Sequence, residues 1–205
     1  MRKRFEGVQE RIIECAVAEF LEKGYTQASL RSIAQKAETS TNAIYVRFHD
    51  KEGLFSAIVE PVAQEFLALA LDGQNQFAAM DSGFQKEQAD DYSNQEIVRL
   101  LDYIYDHFDV FRLLLDASYG TKFHNFIDQL VEMEETYTWR WLEVTGADTK
   151  MNEILPRELY HMMTTSYFEG VFEVVRHEIS RERAKEFVLL MGKYHQAGFK
   201  AICEI

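Results

Sequence analysis

The chain has 205 residues, 47% of them hydrophobic, with 22 Lys/Arg against 34 Asp/Glu and a net charge of −12. That length and apolar content suit one large or two small packed domains and exclude a disordered chain. The acidity is uneven: residues 1–60 hold nine basic and nine acidic side chains, leaving 13 basic and 25 acidic beyond them, so a neutral N-terminal segment precedes an acidic body.

The opening MRKRFEGVQE is charged but lacks an apolar run, so it does not read as a signal peptide. No apolar run nears the ~20 residues needed to span a bilayer. Cys15 and Cys203 are far apart and belong to no CxxC or His-rich cluster. Cys15 reads as a small buried hydrophobe, and the pair suits a reducing cytosol rather than a disulfide scaffold. The expectation is a cytoplasmic protein without a membrane partner.

A first helix is predicted over Glu6–Glu22, where Ile12, Ile13, Ala16, Val17 and Phe20 form one stripe. Gly24 ends it, and Tyr25 folds back onto the core. Ser29 caps a short second helix whose apolar positions are Leu30, Ile33, Ala34 and Ala37. Glu38-Thr39-Ser40 interrupts the pattern with polar residues that compete for backbone hydrogen bonds. A third helix follows, with Ala43, Ile44 and Phe48 turned inward and Thr41, Asn42, Tyr45 and Arg47 outward. Hydroxyl, amide, phenol and guanidinium groups on a helix of that size suit the DNA major groove, so the stretch reads as a helix-turn-helix. Arg2, Lys3 and Arg4, with Arg31, Lys36, Arg47 and Lys51, supply the local positive charge that a neutral head needs.

Asp50 caps a fourth helix that begins at Lys51 and carries Leu54, Phe55, Ile58, Val59, Val62, Phe66 and Leu67, with Pro61 inside it as a kink or a break. Residues 72–93 are polar and aperiodic and read as a long connection. Further helices are expected at 94–107, 109–118, 121–144, 156–178 and 181–203, with Pro156 in a first turn and Ser180 as an N-cap. Gly120 and the TGAD stretch at 145–148 mark breaks. The fold class is all-α: a three-helix head over residues 1–50 and a helical body over 51–205.

The run from Arg11 to Leu54 carries IIECAVAEF, LEKGY, SLRSIAQKA, AIYVRF and DKEGL in fixed order. It resembles the N-terminal domain of TetR-type (tetracycline-repressor family) transcriptional regulators over roughly a fifth to a quarter of the chain. The family usually places Gly and an aliphatic residue where this chain has Glu38 and Thr39, and Glu adopts a left-handed conformation less readily than Gly. The resemblance implies a DNA surface of Ser29, Arg31, Ser40, Thr41, Asn42, Ala43, Tyr45, Arg47 and Lys51. The start of the third helix would meet base edges, Tyr45 and Lys51 would meet phosphates, and Arg31 or Arg47 could reach guanine.

The resemblance also implies a homodimer through the last two helices, reading a palindromic double-stranded operator, and a body cavity for an apolar or aromatic effector. Candidate cavity residues are Tyr103, Phe108, Phe111, Tyr119, Phe126, Tyr137, Trp141, Tyr167 and Phe172. Nearby acids (Asp116, Glu132, Glu135, Glu169 and Glu173) could favour a cationic aromatic or lipophilic ligand. Six dispersed His residues, none at i, i+4 with another, predict no metal site. No GxSxG, P-loop, GxGxxG or HExxH occurs, so neither an enzyme nor a cofactor is expected. The reading is a repressor released by a small molecule. The alternative is an activator or DNA-binding accessory protein controlled by a protein partner.

Overall fold

A computed structural model describes residues 3–146 and 155–203. Arg2, the side chains of Lys3, Arg4 and Cys203, and the 147–148 part of the TGAD stretch lie outside the described residues. Among those described there are nine α-helices and no strand: α1 (Lys3–Gln27), α2 (Leu30–Lys36), α3 (Thr41–Phe48), α4 (Lys51–Ala78), α5 (Ser82–Asp106), α6 (Phe108–Arg112), α7 (Phe126–Thr145), α8 (Arg157–Arg176) and α9 (Arg181–Cys203). A π-helical turn, Leu113–Ala117, continues α6.

These helices form two compact units, one of Met1–Glu65 with His107–Phe126, the other of Phe66–Asp106 with Ile127–Ile205. The division differs from a boundary at residue 50, because α4 gives its first half to unit 1 and its second to unit 2. The 107–126 segment also joins the head helices.

In unit 1 the expected stripe of α1 is buried at Ile12, Ala16 and Phe20. Gly24 (φ 70°, ψ 164°) interrupts the helix at the expected place. Tyr25 turns back to stack on Phe20 (6.1 Å between ring centroids) and to meet Phe55 edge-on at 5.3 Å. Phe55 reaches Phe123 at 6.1 Å, and Phe111 packs on Phe126 at the same separation. Full burial of an aromatic such as Phe20 or Phe55 contributes roughly 1.5–3 kcal/mol. Cys15 is only partly buried.

Helix α4 continues through Pro61 without ending there. By length and composition it would also pass for a membrane span, which the sequence reading missed, with a mean hydropathy of 1.6 over its most apolar window. Its Leu54, Phe55, Ile58, Val59 and Ala63 are buried within the protein.

Residues 72–93 are helical, a correction to the predicted connection. Only Ala79–Asp81 separates α4 from α5. The stretch lacks proline and consists mostly of residues tolerated in helices, and its few apolar groups meet across the turn. Phe77 and Tyr92 approach to 5.0 Å, and the Tyr92 hydroxyl donates to the Gly73 carbonyl at 2.8 Å. Buried Gln85 donates to the carbonyls of Met80 (2.8 Å) and Ala78 (3.3 Å), satisfying the end of α4.

Later boundaries shift modestly. α7 starts at Phe126 because Thr121 closes a turn, donating to the Ser118 carbonyl at 2.7 Å and accepting from Phe123 N at 3.1 Å. Pro156 is an N-cap (ψ 143°) rather than a first-turn residue. In unit 2, Arg181 ties the start of α9 to Asp102 (2.7 Å) and Asp106 (2.8 Å) of α5, and Lys185 adds a 2.8 Å pair to Asp102.

Candidate nucleic-acid interface and effector cavity

Three local devices shape the end of unit 1 that carries α2 and α3. Ser40 caps α3, accepting from Ala43 N at 3.1 Å. Between the helices, Thr39 N bonds the Ala34 carbonyl (2.9 Å) and Glu38 N bonds the Gln35 carbonyl (3.2 Å), the pattern of a Schellman close. Glu38 fills its left-handed position at φ 51°, a slot that glycine occupies at less cost. At the far end of α3, Asp50 Oδ1 accepts from Gly53 N at 2.7 Å. A Cβ on Gly53 would lie 1.9 Å from the Phe48 carbonyl oxygen, so the start of α4 requires glycine there.

Glu19 is a further device. Its side chain is inaccessible to solvent and accepts from Lys23 Nζ (2.7 Å), Lys36 Nζ (2.8 Å) and Ser32 Oγ (2.8 Å), with Ser29 N at 3.4 Å. Burial alone would raise its pKa. The hydrogen bonds from Lys23, Lys36, Ser32 and the Ser29 backbone outweigh that and lower it to about 2. Glu19 therefore fixes α2 against α1 with a buried carboxylate.

Ile44 and Phe48 anchor α3, and its other face is open. Ser29, Arg31, Ser40, Asn42 and Tyr45 are exposed, while Thr41, Ala43, Arg47 and Lys51 are half-buried. Tyr45 is 50% exposed and its neighbour Val46 70%. Arg47 donates to the Ala43 carbonyl at 3.0 Å, leaving most of its guanidinium donors available. Lys51 donates to the carbonyls of Thr26 (3.0 Å) and Ala28 (3.2 Å), with its ammonium 4.7 Å from the centre of the Tyr25 ring. Lys36 is held by Glu19 and Glu22, which withdraws it from the expected positive cluster.

Unit 2 holds an open cavity of about 630 Å³ between α4, α5, α7, α8 and α9. Its wall is mainly aromatic and aliphatic, with Phe66, Phe77, Tyr92, Tyr137, Trp141, Tyr160, Tyr167 and Phe172 prominent. Leu130, Met133, Glu134, Tyr137, Thr138 and Trp141 present the cavity-facing stripe of α7. Volume and lining are those of a small-molecule site.

Residues 12–58 match the family model described as bacterial regulatory proteins, tetR family. A 60-residue segment is 37% identical to the uncharacterized HTH-type transcriptional regulator YvdT of Bacillus subtilis (strain 168), spanning 29% of this chain and 31% of that protein. Residues 12–58 are thus similar to the matching segment of bacterial regulatory proteins of the tetR family. The fold agrees along its length with solved structures of low identity. NalD, the secondary repressor of the MexAB-OprM multidrug efflux pump in Pseudomonas aeruginosa, has a TM-score of 0.58 at 17% identity, covering 94% of this chain and 97% of NalD. The SmeT–triclosan complex gives 0.61 at 17% identity, covering 93% and 90%. A regulator from Aquifex aeolicus VF5 gives 0.54 at 19%, covering 95% and 99%.

Helices α2, α3 and the start of α4 bring the nine interface candidates into unit 1 together. The cavity candidates divide. Tyr137, Trp141, Tyr167 and Phe172 line the cavity, and Tyr103 does not, packing on Phe66 at 6.0 Å. Phe108, Phe111, Tyr119 and Phe126 fall in unit 1, where Phe111 and Phe126 complete the core and Tyr119 is exposed. None of the five predicted acids lines the cavity. Glu134 does, and sequence reasoning missed it, although it falls four residues after Leu130 on the apolar stripe of α7. Glu19 had the same signal, seven residues after Ile12. Val46 was missed because an exposed valine carries no periodic mark.

Proposed function

We propose that the protein is a DNA-binding transcriptional regulator, acting in the cytoplasm as a homodimeric repressor that a small apolar or aromatic molecule releases from a palindromic operator. The observation that carries the DNA-binding reading is α3. Its buried anchors Ile44 and Phe48 leave Thr41, Asn42, Tyr45 and Val46 on an open helix face of major-groove size. Hydroxyl and amide groups at the helix start would read base edges, and Val46 suits the methyl of thymine. Tyr45, Arg31, Arg47 and the remaining donor of Lys51 would hold phosphates or guanine. Exposed apolar residues on the last two helices, Met162 of α8 with Leu190 and Tyr194 of α9, favour a second copy as their cover.

The cavity supports control by a small ligand over control by a protein partner. Helix α4 links the two functions covalently. Its N-terminal residue Lys51 flanks the interface, and Phe66, Ala70, Gln74 and Phe77 further along line the cavity. A ligand that binds one position of α4 better than another would shift the spacing of two heads, which must meet DNA about one turn apart, roughly 34–36 Å. Ligand and operator would then weaken each other by the same factor.

The test is fluorescence anisotropy of the protein on its own upstream DNA and on scrambled duplex, over a salt series and then against a ligand library. Specific binding by two subunits that weakens with salt, and is reversed by a cavity ligand, is the expected result. Equal affinity for both duplexes, upheld after random-site selection, would refute the regulator reading.

A further inference from the structure

The side chain in the cavity wall that an apolar site least requires is Glu134. It is half-buried and lines the cavity. Its hydrogen bonds come from neutral groups, Gln74 Nε2 at 2.7 Å and Thr138 Oγ1 at 3.3 Å, and no cation is paired with it among the described residues. A glutamine could serve both partners with its oxygen towards Gln74 and its amide donating to a Thr138 hydroxyl turned to accept, so neither partner requires a charge. Burial pushes the Glu134 carboxyl up, with the Thr138 and Gln74 hydrogen bonds opposing more weakly. A half-buried carboxylate without a counter-ion bears a desolvation cost that a nearby positive charge would offset.

The surroundings are arranged for such a charge. Tyr160 and Tyr167 lie close enough to Glu134 for its charge to raise their pKa values further, on top of the larger effect of burial. Both rings belong to the wall with Tyr137 and Trp141, and aromatic faces attract cations. His195 stacks on Tyr167 at 4.6 Å, and burial lowers its pKa, which favours the neutral ring. The basic wall residues, Lys86 and Lys200, are exposed at the rim, where Lys200 is paired with Asp90.

We propose that the cavity is specific for a lipophilic cation, with the Glu134 carboxylate as its counter-ion and the rings of Tyr137, Trp141, Tyr160 and Tyr167 as its contact faces. This rests on the effector reading of the cavity and assigns the chemical class that it would accept. A lipophilic amine or quaternary ion fits this chemistry, and an anion of the same shape is excluded by Glu134.

The test compares two probes of nearly equal shape and opposite charge, tetraphenylphosphonium and tetraphenylborate, by titration calorimetry on the full chain. Tryptophan fluorescence provides a second readout, because Trp141 lines the site. The wild-type protein should bind the phosphonium at least tenfold more tightly than the borate. Glu134→Gln should lose that preference by tenfold or more while still binding the neutral dye N-phenyl-1-naphthylamine as the wild type does. Equal binding of the two ions by the wild-type protein, or a preference for the borate, would overturn the assignment without needing any variant. So would an unchanged preference in Glu134→Gln. If the neutral dye binds and is displaced by neither ion preferentially, only the charge assignment fails. If no probe enters the cavity at all, the effector reading fails with it.

Discussion

Replacing Glu19 by glutamine keeps the shape of the side chain and removes the charge on which four donors of the head converge. The folded pKa of about 2 against an ordinary 4.5 sets a ceiling of roughly 3 kcal/mol on what that charge contributes. Its partners Lys23 and Lys36 are 37% and 44% exposed, so solvent screens part of the attraction. About 1–2 kcal/mol is the expected loss at neutral pH. The sign of the pH dependence follows from the depressed pKa. Above about 4.5 the carboxylate is charged in both folded and unfolded chains and the full contribution is present. As pH falls towards 2 the unfolded chain takes up the proton first, and the contribution is lost. Urea unfolding of the wild type and Glu19→Gln at matched pH values, followed by a probe in the head such as Tyr25, isolates this group because other titrations cancel in the difference. The gap should be greatest above pH 5 and should close towards pH 2. A gap independent of pH would show that Glu19 acts through packing, and no gap at pH 7 would refute the electrostatic argument altogether.

Three further substitutions probe separate links. Glu38→Gly should stabilise the head by about 1 kcal/mol in urea unfolding, because it removes a left-handed penalty of about 1–2 kcal/mol while freeing the unfolded chain somewhat. Destabilisation would mean that the Glu38 side chain contributes something its geometry does not reveal. Gly53→Ala places a methyl carbon against the Phe48 carbonyl and should lower stability by roughly 2 kcal/mol or more, with a loss of melting temperature and of DNA binding together. Arg31 is exposed and has no hydrogen-bond partner among the described residues. Arg31→Ala should therefore weaken operator binding by about 1–3 kcal/mol if the fork reads guanine, with unfolding unchanged within about 0.5 kcal/mol. Equal operator affinity in an anisotropy titration would remove Arg31 from the interface.

The head was legible because its signals are local. Apolar spacing set Ile12, Ala16, Phe20, Ile33, Ile44 and Phe48 inward, and Ser29, Asp50 and Gly24 marked the helix ends where their chemistry requires. The 72–93 stretch was not legible, since its helix depends on distant partners. Phe77 meets Tyr92, and Gln85 reaches back to the carbonyls ending α4, contacts that no short window displays. The cavity candidates failed for a related reason. Aromatic content shows that a residue packs, yet whether Phe111 and Phe126 pack in the head or in the body depends on which unit the 107–126 segment joins. Glu134 and Glu19 were overlooked on a different ground. A charge on an apolar stripe looks like an imperfection in the pattern, although burying it is costly enough to require a reason.

Those two carboxylates define opposite uses of a buried charge in one chain. Glu19 has two ammonium groups against it, and its pKa is lowered; Glu134 has only neutral donors, and its pKa is raised. A paired carboxylate is a structural element, because removing either side strands the other, and Glu19 accordingly spends Lys36 that the sequence seemed to offer to DNA. An unpaired one, in the proposed reading, is balanced by the charge of a cationic ligand. The head therefore has less free positive charge than its sequence suggests. With Lys36 committed to Glu19 and Lys51 partly committed to the end of α1, binding in the proposed reading depends more on the hydrogen bonds and apolar contact of α3 than on phosphate attraction. An acidic chain gains from that arrangement, since weak general attraction to DNA leaves the base contacts to decide where it settles.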